Sequence, residues 1–187
     1  MLPAIKDAYD RARREKRYEV RVIFFEGISV VSKLIKWFTR SRFSHVGFDL
    51  GDGVHLVEAW EDTRNKLLGI FGAKWQLTTY KYHTPGTPYI ILTKKVDVPT
   101  LSHYYYILDF IAQAKIPYDW KEILGFIFKW KEKESDGRFI CSTGTCFILQ
   151  WLGILPKELP YWRMSPQDVF EVCIANGFEI AKTGVVK

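Results

Sequence analysis

The chain has 187 residues, 48% apolar and 16% aromatic, a length and composition that suit one domain with a full-sized core. Its net charge is +6, and residues 1–17 hold six Lys or Arg against three Asp or Glu, so much of the excess is local. Three cysteines exclude a disulfide framework, the lack of any run of about 18 apolar residues excludes a transmembrane segment, and the lack of zinc spacing, Gly-rich RNA motifs or a long basic reading helix excludes a nucleic-acid reader.

Residues 4–17 read as a short polar helix with Ile5, Ala8, Tyr9 and Ala12 on one side. They form a basic N-terminal segment, 1–17, whose charge suits a solvated face or a weak contact with an anionic surface. A second region, 18–187, holds everything else. Tyr18–Phe25 is rich in Val, Ile and Phe and predicts a strand that Gly27 breaks. Ser29 can cap a helix with Val31, Leu34, Ile35 and Phe38 along one face. Ser44–Leu50 and Val54–Trp60 predict a hairpin around Gly51-Asp52-Gly53. Residues 61–75 have weak periodicity and read as loop with some helix. Gln76–Tyr82 and Tyr89–Thr93 predict two more strands, separated by the turn-rich His83–Pro88.

Pro99–Lys115 predicts a helix with Leu101, Tyr105, Leu108 and Ile111 or Ala112 inward, ended by Pro117. Asp119 can cap a further helix, and Lys131–Gly137 is a charged loop. A buried helix is expected after Cys141, stopping at Gly153. Ser165-Pro166-Gln167-Asp168 is a helix start, and that helix ends near Asn176-Gly177. Strands thus gather in the first half and helices in the second, which predicts an α+β fold with an antiparallel sheet.

Two segments carry chemistry. Cys141 sits at an expected helix N-terminus, where partial positive charge favours a thiolate, and Ser142, Thr143 and Gly144 after it leave room for a substrate. Backbone N–H groups of that run could hold an oxyanion. His45 opens an apolar strand between Ser44 and Val46-Gly47, and could act as the general base for the thiol. A turn centred on Gly51–Gly53 pairs residues whose numbers sum to 103 or 104, which sets His45 opposite Glu58 or Ala59. Glu58 is therefore a candidate to orient the imidazole, with His55 as the alternative. Cys146 and Cys173 read as core, His83 as part of a turn and His103 as surface or packing. No paired Cys or His spacing suggests a metal, and thiol chemistry needs no cofactor. The N-terminus lacks a secretory signal pattern, and a cytoplasmic location is expected.

The ordered pieces Val20–Phe25, Ser32–Trp37, Phe43-Ser-His-Val-Gly-Phe48, Gly51-Asp-Gly53, Val57-Glu-Ala59, Pro117-Tyr-Asp119, Phe139-Ile-Cys-Ser142 and Ser165-Pro-Gln-Asp168 resemble the permuted NlpC/P60 group. These are the papain-like cysteine amidases and peptidases typified by YiiX-like proteins, and the resemblance spans residues 20–178. In that group the strand histidine precedes the cysteine, as His45 precedes Cys141 here. The resemblance implies a papain-like antiparallel half-barrel sheet packed on helices that include the Cys-bearing one. It implies Cys141 as nucleophile, His45 as base and Glu58 as orienting residue, within a catalytic domain over 18–187. Members often carry Glu after Cys-Ser, where this chain has Thr143. The function it implies is hydrolysis of an amide or peptide bond, for example in cell-wall peptides, through an acyl-enzyme. The alternatives are a lipid-directed thiol acyltransferase or hydrolase, and a non-enzymatic binding module on the same fold.

Overall fold

The computed structural model describes residues 1–60, 74–114 and 141–187. In chain order these form α1 (Pro3–Arg14), β1 (Glu19–Phe25), α2 (Val30–Thr39), β2 (His45–Asp49), β3 (His55–Trp60), β4 (Lys74–Thr79), β5 (Pro88–Lys95), α3 (Val98–Ala114), α4 (Cys141–Trp151), α5 (Pro166–Ala175) and β6 (Glu179–Val185). The expected helix after Asp119, the loop 131–137, the Pro117–Asp119 and Phe139–Ile140 pieces and nearly all of the 61–75 loop lie outside the described residues.

The six strands form one open antiparallel sheet in the order β4-β3-β2-β1-β5-β6. The central strand β1 is apolar on both faces from Val22 to Phe25, as burial on both sides requires. Val20, Val22 and Phe24 join the large core with α1, α3, α4 and α5, whereas Ile23 and Phe25 join a smaller cluster with Leu56, Tyr89, Ile91 and Val186. Phe24, Phe43 and Phe170 pack ring to ring, with centroids 4.9–5.3 Å apart, tying β1, the approach to β2 and α5 together.

Helices α2 and α5 begin, and α4 and α5 end, where local chemistry says they should. Ser29 accepts from the Ser32 N–H at the start of α2. Ser165 and Asp168 make a reciprocal capping box at the start of α5. Gly153 and Gly177, at φ +68° and +81°, supply the left-handed residues that let the chain leave α4 and α5. Helix α1 is built into the fold. Its Ile5, Ala8 and Ala12 are buried, Tyr9 shares a hydrogen bond with Ser102, and Arg11 donates to the Leu50 carbonyl.

Three expectations need correction. A strand, β6, stands in the second half, where only helices were expected. It is an edge strand whose side chains are almost all exposed, so it carries no alternation to read. Leu34 of α2 does not face the core but is 51% exposed, and Val30 and Trp37 are exposed with it. Finally, Phe48 pairs with Val57 and Asp49 with Leu56, a register sum of 105. The Asp52 carboxylate accepts from the N–H groups of Val54 and His55, which lengthens the turn beyond Gly53 and shifts the pairing by a residue.

Candidate active site

His45 opens β2 directly across from Phe25 of β1. Carrying the β2–β3 register one step beyond the Phe48–Val57 pair sets Gly47 beside Glu58 and leaves Glu58 diagonal to His45 on the same face. A methyl group on Gly47 would lie 2.8 Å from the Glu58 Cβ, so the glycine clears the space through which the carboxylate leans toward His45. The result is a contact of 2.8 Å between His45 Nε2 and Glu58 Oε2.

Glu58 is completely buried. A carboxylate only accepts, so each neighbouring ring must present an N–H. His45 Nε2–H donates to it, and His83 Nε2 lies 3.2 and 3.1 Å from its two oxygens. The Thr78 hydroxyl donates as well. Burial alone would push this carboxyl up, but His83 and His45 prevail and hold it well below the usual carboxylate range.

With Nε2 committed to Glu58, the other ring nitrogen of His45 is the one left for the hydrogen bond that His45 makes with the Cys141 side chain. Burial disfavours a charged His45, yet attraction to the Cys141 sulfur and to Glu58 raises its pKa well above that of a free histidine. Cys141 is the first residue of α4, and α4 packs on β2, which is why sulfur and imidazole meet. The N–H groups of the first turn of an α-helix have no carbonyl four residues back inside that helix, which makes a helix start such as that of α4 a place suited to an anion. Beside Cys141, Ser142 is completely buried and its hydroxyl has no partner among the described residues.

The structure thus brings together Cys141, His45 and Glu58. It separates the alternative, His55, whose Nδ1 lies 2.6 Å from Asp52 Oδ2 in the hairpin turn rather than near His45. Cys146 and Cys173 are wholly buried core residues; burial pushes the Cys146 thiol up to about 12 and the Cys173 thiol higher still. His103 is exposed on α3.

His83 is the residue sequence reasoning missed. It stacks on Phe25, with ring centroids 3.6 Å apart and planes 15° apart, and is buried. A single turn of 3₁₀-helix at Tyr80–Tyr82 brings it back under β3, a fold-back that no strand register could foretell. Thr78 was legible in principle: β4 pairs Leu56 with Thr78 and Glu58 with Gln76, which puts Thr78 diagonal to Glu58.

Among the described residues no group of three or more His, Cys, Asp or Glu could hold a metal ion. Both Nε2 atoms point protons, not lone pairs, at Glu58. No helix among them is long and apolar enough to cross a membrane. No protein-family model and no curated protein matches the chain.

Proposed function

We propose that the chain is a cysteine hydrolase that cleaves an amide or peptide bond, on a papain-like, permuted NlpC/P60 type of fold. The observation that carries this reading is the ordered chain of contacts from Cys141 through His45 to the buried Glu58. Glu58 fixes the ring so that its free nitrogen faces the thiol, and its charge supports the imidazolium that forms when the thiol proton is taken. The Cys141 thiolate attacks the substrate carbonyl carbon, and the N–H groups at the start of α4 donate to the developing oxyanion. His45 returns the proton to the leaving amine as the C–N bond breaks. Water then adds to the thioester with His45 as base, and the thiol is regenerated. The group that the sequence resembles includes peptidoglycan-peptide hydrolases as well as other amidases and lipid-directed acyltransferases, so peptides of the cell wall are the first substrates to test. Purified protein should release amines from peptidoglycan fragments, and Cys141→Ala should reduce that rate at least about 1,000-fold. Retained activity in the variant would end this reading.

One observation favours a second substrate class for the same acyl-thioester. A cavity of about 320 Å³ opens between α3 and α4, lined by Trp75, Tyr106, Phe110, Gly144, Phe147 and Trp151 among others. Gly144 lies one helical turn past Cys141, and these walls bear no charge, which suits a hydrocarbon chain better than a peptide. Turnover of phospholipid vesicles with no turnover of peptidoglycan fragments would select it.

A further inference from the structure

Helix α2 presents an apolar stripe outward. Val30 is 75% exposed, Leu34 51% and Trp37 73%, and Ile28 just before the helix is 41% exposed. At 100° per residue Val30, Leu34 and Trp37 fall within one narrow sector. Lys33 and Lys36 fall together along one flank of it, and Arg40 follows as the left-handed residue that ends the helix. None of these three side chains meets a carboxylate among the described residues, whereas the neighbouring Arg42 is held by Glu26. An apolar stripe bordered by free cations is what a helix needs to lie in a lipid interface, with long basic side chains reaching the headgroups and a tryptophan at headgroup depth. A protein partner fits less well, because lysine is depleted in the cores of protein interfaces.

We propose that α2 is a membrane-docking helix that seats the molecule on an anionic lipid surface. The placement matters for the site. The chain enters α2 from Phe25 and leaves it to reach His45, and the two ends are fastened by the Ser44 N–H donating to the Phe25 carbonyl and the Gly27 N–H to the Ser44 hydroxyl. Seating α2 therefore holds the Cys141–His45 pair close to the lipid surface. The basic segment 1–17, whose charge suits a solvated face or a weak anionic contact, offers no such stripe. The apolar side of α1 is buried, Lys6 pairs with Asp10 and Arg17 with Glu15.

The test is flotation of the full chain with mixed phosphatidylcholine–phosphatidylglycerol vesicles and with pure phosphatidylcholine vesicles. Wild type should bind the mixed vesicles, more weakly as salt rises. Leu34→Glu should lower the partition about tenfold or more, and Lys33→Glu with Lys36→Glu should do likewise, since each charge near the surface counts for about fivefold. Arg13→Glu with Arg14→Glu on α1 should leave binding nearly unchanged. All these sites are on the surface, and an unaltered melting temperature shows that each variant folds. Absence of wild-type binding, equal binding to both vesicle types, or loss caused by the α1 variant instead would overturn the proposal. So would a dimer in sedimentation that Leu34→Glu dissolves while vesicles are ignored.

Discussion

Glu58 is a fully buried carboxylate that accepts from His45, His83 and Thr78. Such a group is stable only while all its donors are in place, and removing the charge leaves two histidine N–H groups facing an amide that cannot satisfy both. Glu58→Gln should cost about 3 kcal/mol of stability near neutral pH. The sign of the pH dependence follows from the shifts. Glu58 is depressed, so its contribution is present above about pH 4.3, the unfolded value, and is lost as pH falls through its lower folded value. His45 is raised, so its contribution is full below about pH 6.5 and is lost as pH climbs through its higher folded value. Stability from this network should therefore peak between those limits. Urea midpoints measured against pH should show an acid limb in wild type that is flattened in Glu58→Gln; an unchanged acid limb would separate Glu58 from the network.

At the scale of elements, the β2–β3 hairpin decides whether the carboxylate reaches the imidazole. Gly47→Ala would put a methyl 2.8 Å from the Glu58 Cβ and 3.1 Å from the Val57 carbonyl oxygen. It should destabilise the fold by about 1–3 kcal/mol through overpacking, and slow alkylation of Cys141 because Glu58 moves off His45. Denaturation and labelling rates on the same variant check both. The hairpin itself was legible, since Gly51-Asp52-Gly53 separates two apolar arms. Its register was not, because the Asp52 side chain extends the turn through Val54 and His55. The same limit hid His83, which reaches Glu58 by a tight turn after β4, and β6, which lies exposed along β5 with no buried face to announce it. The caps of α2 and α5 were legible because a Ser at the boundary acts on its own local backbone.

For the whole molecule, one core joins α1 to the helix that carries Cys141. Ile5 and Cys141 belong to the same buried cluster, and the Leu2 N–H reaches the Asp109 carboxylate on α3. Ile5→Ala should cost about 2–5 kcal/mol, the range for deleting a buried branched side chain. A thermal melt close to wild type would mean that α1 is only loosely attached. The inward side of α1 was readable from the spacing of Ile5, Ala8 and Ala12. Its attachment was not, because it depends on Tyr9, Arg11 and Leu2 meeting residues about 40 to more than 100 positions away.

The most direct test of the thiol–imidazole pair is the rate of iodoacetamide labelling against pH, with the labelled cysteine mapped by mass spectrometry, in wild type and His45→Ala. Labelling should be confined to Cys141, with Cys146 and Cys173 silent in the folded protein. Its midpoint should lie below about 8.5, the value of a free thiol, and should move up with loss of His45. Slow labelling of Cys141 with an ordinary midpoint, unchanged by His45→Ala, would contradict the account and leave a binding module on an antiparallel sheet.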